Sequence, residues 1–321
     1  MKMVLKTTVG IAALLASAQA FADAPPPVPS GNMSSVTQSG PSQTATVNQT
    51  GSNDDSTITQ SGSGNQATVN QDGEIGGTST ITQTGTGNQA IVNQSDDGSL
   101  FPGAEGPISN SEITQIGIGN AARVDQITTI NADTNVSVVL QMGSFNSAIA
   151  EKSDDSQSST ITQLSSNNRA TVHQGLDNGG DATWGNTSTI TQSGDGFNDA
   201  TVNQFGRLGT SDIDQTGSVN TATLNQYGEE NASDIDQIGD DNSVEIYQQG
   251  TGNASTVAQT GDQNEAQVYQ YSTDNVSLVT QFDGSLRNSA TVSQFSSGNL
   301  STVTQSGTEN SVHVSQGIGK K

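Results

Sequence analysis

Residues 56–71 read STITQSGSGNQATVNQ. The stretch has two halves, and each closes on a glutamine, Gln60 and Gln71. Ser56, Ile58 and Gln60 are spaced by two; so are Asn65, Ala67, Val69 and Gln71. Residues two apart share one side of a β-strand, so each half predicts a strand with an inward stripe and an outward row such as Thr57 and Thr59. Gly62 stands between the strands, where a turn needs positive φ.

Aligning on glutamine organises the chain after residue 33. The ladder runs Gln38, Gln49, Gln60, Gln71, Gln83, Gln94, Gln115, Gln126 and Gln141, then Lys152. It continues Gln163, Gln174, Gln192, Gln204, Gln215, Gln226, Gln237, Gln248, Gln259, Gln270, Gln281, Gln294, Gln305 and Gln316. Most of the steps between these 24 positions are eleven residues. Four residues before the ladder position, odd halves always carry Ser, and even halves carry Ala except at Val244 and Val312. Two residues before it stands Val, Ile or Leu in every half but one, where Ala150 precedes Lys152. Even halves add Asn six before in eleven of twelve cases. The unit is therefore a pair of halves, about 22 residues long and present twelve times.

This pattern predicts an all-β fold: a β-solenoid of twelve strand-turn-strand-turn rungs with two facing parallel sheets. One rung buries too thin a stripe to stand alone, and stacking joins the stripes. Val36, Val47, Ile58, Val69, Ile81, Val92, Ile213, Ile235, Val303 and Val314 are expected in that core. The glutamines, with Asn65, Asn88, Asn220, Asn242, Asn264 and Asn310, are expected to point inward and form amide ladders. A buried amide without partners costs on the order of 1–3 kcal/mol, and a ladder in register removes that cost. A slip by one residue would turn Thr and Asp inward, so the pattern also fixes register. Long steps follow Gln71, Gln94, Gln126 and Gln174, all after an even half, and predict loops on one edge, including residues 96–108 and 176–186. Shorter extras follow Gln192 and Gln281 on the other edge.

Outside the repeat, residues 1–22 read as a signal peptide. Lys2 and Lys6 precede the apolar run VGIAALLA, and small-residue cleavage patterns end at Ala20 and Ala22, of which Ala22 is preferred. The run is about half of the ~20 residues that a membrane span needs. Residues 23–33, with Pro25, Pro26, Pro27 and Pro29, predict a flexible segment outside the sheets, and residues 317–321 a short tail. The formal net charge is −23 and opposes binding to nucleic acid or an anionic membrane. No cysteine is present, and His173 and His313 fall at outward positions of different rungs. No catalytic set, cofactor site or metal site is therefore expected.

The spacing Q-x-G-x-G-N-x-A-x-V-x-Q stands at Gln60–Gln71 and again at Gln83–Gln94. By this motif the chain resembles the curlins, the secreted subunits of bacterial curli amyloid fibres, over residues 34–316. The resemblance implies end-to-end polymerisation into the extracellular amyloid of a biofilm matrix, with the chain as its own partner. It also implies export through a dedicated outer-membrane pore, periplasmic chaperones and a nucleating minor subunit. The other reading is a monomeric secreted solenoid that binds a surface or ice through its flat outer face, since Thr-Ile-Thr recurs at 57–59, 160–162 and 189–191. Asp-Ile-Asp at 212–214 and 234–236 breaks such threonine rows.

Overall fold

A computed structural model of the chain describes residues 8–9, 31–73, 76–96, 109–128, 134–153, 156–175 and 183–317. The alternation of buried and exposed residues turns each half of the repeat into a strand, and two strands form a rung. Rungs 1 to 4 pair Met33–Ser39 with Thr44–Gly51, Asp55–Ser63 with Gln66–Gly73, Thr78–Thr86 with Gln89–Asp96, and Asn110–Ile118 with Ala121–Thr128. Rungs 5 to 8 pair Val136–Ser144 with Ser147–Ser153, Ser158–Gln163 with Arg169–Gln174, Thr187–Gly196 with Asp199–Arg207, and Thr210–Ser218 with Thr221–Glu229. Rungs 9 to 12 pair Ala232–Asp240 with Ser243–Thr251, Ala254–Asp262 with Glu265–Tyr271, Val276–Leu286 with Ser289–Gln294, and Leu300–Gln305 with Ser311–Gln316.

The first strands of the rungs stack into one parallel sheet of 12, here the serine sheet. The second strands stack into another, the alanine sheet, whose thirteenth member is the two-residue strand Thr8–Val9 beside Thr46 and Val47. Register places ladder residue on ladder residue. Gln94 pairs Gln126 across a step lengthened by ten residues, and Gln174 pairs Gln204 across one lengthened by seven. The short extras after Gln192 and Gln281 are absorbed as register shifts inside the serine sheet. Most of the loops expected at 96–108 and 176–186, most of the leader, residues 23–30 and residues 318–321 lie outside the described residues.

Between the sheets runs one apolar core, with an aliphatic column from each side. Ile58, Val69, Ile81, Val92, Ile213 and Ile235 are fully buried, and Val47 and Val303 nearly so. Val36 and Val314, in the first and last rungs, are only half-buried because a neighbour covers them on one side. Two corners close each rung. Gly85 sits at φ +123°, and a Cβ there would lie 2.0 Å from the carbonyl oxygen of Gly117 in the next rung. Replacing Gly85 by Ala combines that clash with left-handed strain, so the Gly85→Ala chain should lose at least about 2 kcal/mol. A lowered denaturant midpoint checks it; an unchanged midpoint would show that the glycine column is dispensable.

A second corner falls just before the asparagine position. Gly64 takes it at φ +66°, but so do Val219 at +59° and Leu208 at +54°. A positive φ strains a β-branched residue most, so at Val219 the stacked rungs, not the local preference, hold the backbone there.

Candidate functional site

The glutamines form two columns of amides inside the solenoid, one continuous and one broken once. In the serine sheet, each Nε2 from Gln38 to Gln281 donates to the Oε1 of the next rung's glutamine, ending on Gln305, at 2.6–3.0 Å. Every bond has the same sense. In the alanine sheet the column runs from Gln49 through Gln71 and Gln94 to Gln126, then resumes from Gln174 through Gln204, Gln226, Gln248, Gln270 and Gln294 to Gln316. Gln60, Gln83, Gln215, Gln237 and Gln259 are fully buried or within one per cent of it.

The second amide hydrogen has a use that the repeat does not advertise. Gln60 Nε2 also donates across the core to the Thr44 carbonyl at 3.1 Å, and Gln83 to that of Gln66 at 2.9 Å. From the other side Gln49 reaches the Met33 carbonyl at 3.0 Å. Most of the interior glutamines thus tie their sheet to the backbone of the opposite sheet as well as to their own copy. Both donors of a carboxamide are satisfied, which makes its burial tolerable.

The asparagines behave differently from the expected side-chain ladder. Asn88 donates its backbone N–H to Asn65 Oδ1 at 3.0 Å, and Asn242 and Asn264 do the same to Asn220 and Asn242. Their Nδ2 groups mostly bond turn carbonyls, as Asn220 does to Gly239 at 2.7 Å. Direct amide-to-amide bonds join part of the row: Asn88 donates to Asn65 at 3.2 Å, Asn264 to Asn242 at 3.2 Å and Asn310 to Asn288 at 3.0 Å. The side chain is short and sits at the corner, where the next rung presents a backbone N–H, so it staples turns and forms only a partial ladder. Asn310, in the last rung, is exposed.

Lys152 is the one break in these columns. It is nearly fully buried, in register between Gln126 and Gln174. Burial pushes its ammonium well below the usual lysine range. Gln126, with no glutamine above it, donates instead to Ser137 Oγ at 3.2 Å, and Gln174 Oε1 has no hydrogen-bond partner among the described residues. Lys152 Nζ meets the Val136 carbonyl. Ala150, in place of the usual Val or Ile, leaves room beside the longer side chain.

Outward positions carry columns too, and sequence reasoning passed over the asparagine one. Asn48 donates to Asn70 at 2.8 Å, and Asn70 to Asn93 at 2.7 Å, on the outer face of the alanine sheet. Their signal is Asn repeated one residue before the ladder position. On the serine sheet Asp212 stacks on Asp234, and Asp214 on Asp236. Partial burial, then the neighbouring carboxylates, raise Asp212 and Asp236 above the ordinary aspartate range. The stacked form therefore binds protons more tightly than the unfolded chain. Its stability rises as pH falls through these raised values and is lost as pH climbs back through them. Assembly of the chain should quicken toward acid pH, and the double substitution Asp212→Asn, Asp236→Asn should flatten that dependence. Lag times that do not change with pH in the parent would contradict this.

Among the described residues no cluster of three His, Asp or Glu side chains is placed to hold a metal ion, and no helix is long and apolar enough to cross a membrane. His173 lies beside Glu151 at 2.8 Å, in the neighbouring rung.

Two parallel sheets, rungs of about 22 residues and columns of identical amides in register define a β-solenoid of the amyloid-like kind. The family described as "Curlin associated repeat" matches residues 40–73, 210–239, 239–271 and 287–317. Four matches to this repeat in one chain support a curlin-family protein. The matched segments fall in rungs 1–2 and 8–12, while rungs 3–7, with the long insertions and Lys152, keep the same register without a match. No curated protein matches the chain.

Proposed function

We propose that this protein is a secreted structural subunit that assembles head to tail into curli-like amyloid fibres of an extracellular matrix. The observation that carries the reading is the state of the two end rungs. Gln38 and Gln49 at one end, and Gln316 at the other, are half-buried members of columns whose interior members are buried. One further rung in the same register would complete their burial and their hydrogen bonds, and that rung exists at the opposite end of another copy. Such a contact is heterologous and does not close, so it generates a filament. The ladder residues named above are then the assembly residues, with no catalysis asked of them.

The leader read in residues 1–22 supports export. Its Thr8–Val9 occupies the edge beside Thr46 and Val47, which cleavage after Ala22 would free. A nucleating subunit, an outer-membrane pore and periplasmic chaperones belong to the same proposal by family, as does a place on the cell surface. The test uses the chain without its leader at neutral pH. Fibres that bind Thioflavin T and diffract at about 4.8 Å along their axis are expected. A chain that stays monomeric and Thioflavin-T negative for days would overturn the reading. It would favour the solitary solenoid with a binding face.

A further inference from the structure

All four tyrosines of the chain, Tyr227, Tyr247, Tyr269 and Tyr271, lie in rungs 8 to 10 on the outer face of the alanine sheet. Three of them join Phe205 and Phe295 in one column across five successive rungs. The ring centroids are 5.5 Å apart for Phe205–Tyr227, 5.4 Å for Tyr227–Tyr247, and 5.5 Å for both Tyr247–Tyr271 and Tyr271–Phe295. Phe205, Tyr227, Tyr271 and Phe295 each follow a ladder glutamine, whereas Tyr247 precedes Gln248 and leans across to close the column. Packing alone asks only for aromatic rings, and phenylalanine meets it at both ends. The middle of the column is built of phenols instead, and all four are only partly covered.

The fourth phenol has a proton acceptor. Tyr269, two residues from Tyr271, donates its hydroxyl to Glu245 Oε2 at 3.0 Å across the rung boundary. Burial, then this hydrogen bond and the neighbouring charges, push the Tyr269 phenol up to about 12, so it keeps its proton at neutral pH. A phenol loses an electron readily only if its proton can leave at the same time. A carboxylate already bonded to the hydroxyl takes that proton over a fixed, short path.

We propose that this tyrosine patch is a site of oxidative cross-linking, at which Tyr247 is joined to Tyr227 or Tyr271 by a carbon–carbon bond between ring positions ortho to the hydroxyls. Tyr269 is the point of entry, with Glu245 as its proton acceptor, and the neighbouring rings share the radical. Two phenoxyl radicals on adjacent rings couple, and each coupled carbon then passes its hydrogen as a proton to a phenolic oxygen, so that both hydroxyls are restored as the rings regain aromaticity. Overall two phenols give up two electrons and two protons. Hydrogen peroxide, delivered through a haem peroxidase, accepts both and becomes two molecules of water. The product locks rung 9 covalently to rung 8 or rung 10. This inference concerns rungs of one molecule, so it holds for a folded solenoid whether or not the chain polymerises.

The test treats the folded full chain with a haem peroxidase and limiting hydrogen peroxide. The expected product is a single chain lighter by two hydrogens and showing dityrosine fluorescence. Digestion after acidic residues should yield joined fragments, one holding Tyr247 and the other Tyr227 or Tyr271. Tyr247→Phe keeps a ring in the column and should lower the yield at least tenfold. The double variant Tyr227→Phe, Tyr271→Phe, which leaves Tyr247 between rings that cannot couple, should lose the product as well. Glu245→Gln should slow the initial rate severalfold and leave the joined positions unchanged. Joined fragments that lack Tyr247, cross-links found only between chains, or an undiminished yield from Tyr247→Phe would each overturn the proposal.

Discussion

A chain carrying proline at Thr302, Thr304, His313 and Ser315 is expected not to polymerise on its own, although it folds. In a parallel sheet, alternate residues send their N–H groups to opposite neighbours. Here the backbone N–H of Val276 donates to Asn299 O in the next rung, and that of Ser289 to Asn310 O, both at 2.8 Å. Phe295, six residues on from Ser289, donates to Gln316 O. The same parity in rung 12 selects Leu300, Thr302 and Thr304 on one strand, and Ser311, His313 and Ser315 on the other. Their N–H groups face the open end. Proline there removes the donors and sets a ring against any incoming strand, while the residues of opposite parity keep rung 12 bonded to rung 11. The residues before each proline are already extended, as proline requires.

Mixed into the parent chain at about one in twenty, the variant should cap fibres growing from this end after roughly twenty additions. Fibres of undiminished length in the mixture would place growth at the other end. Fibres formed by the variant alone would refute head-to-tail stacking altogether. Natural sheets use edge proline for the same defensive purpose.

The second large effect lies inside the chain. Lys152→Gln, with Ala150→Val to refill the space, should stabilise the solenoid by on the order of 3 kcal/mol at neutral pH. The substitution restores two column bonds, from Gln126 and to Gln174, and removes a buried amine that lacks a charged partner within the core. The effect has a pH signature. Lys152 in the folded chain has its pKa below the unfolded value, so the fold binds fewer protons than the unfolded chain. The parent is therefore least penalised in strong alkali, and the penalty grows as pH falls from the ordinary lysine range toward the folded value. The gain measured from denaturant midpoints should widen over that interval and level off below it. An equal gain in strong alkali and at neutral pH would mean that the amine is not responsible.

The periodicity of two, the alternation of Ser and Ala, and the glutamine every eleven residues were enough to read the rungs, the register and the two-sheet core. These features are local and repeat two dozen times, so no single exception could obscure them. The parts that stayed hidden are those where backbone geometry decides. The second donor of Gln60 finds Thr44 only because the opposite sheet presents a carbonyl there. Asn88 serves a corner more than a ladder because of where the turn places it. The corner at Val219 carries no sequence signal, since neighbouring rungs impose a conformation that valine alone would avoid. The aromatic column is masked for a different reason. Tyr247 stands two residues out of phase with its partners, and only the stacked strands show that its ring spans the gap.

The single sense of the glutamine bonds makes the solenoid an electrically polar rod. Backbone hydrogen bonds in the sheets alternate in direction from residue to residue, so their dipoles along the axis largely cancel. The carboxamide columns do not cancel, and like the peptides of an α-helix they add head to tail. Carbonyls of Gln38 and Gln49 terminate one end, and amide groups of Gln305 and Gln316 the other. Joining two copies by like ends would set donor against donor or acceptor against acceptor in both columns at once. Joining unlike ends extends each dipole without a fault. Fibres of this chain should accordingly have a direction, with a positive and a negative tip that differ in growth rate and in the ions they attract.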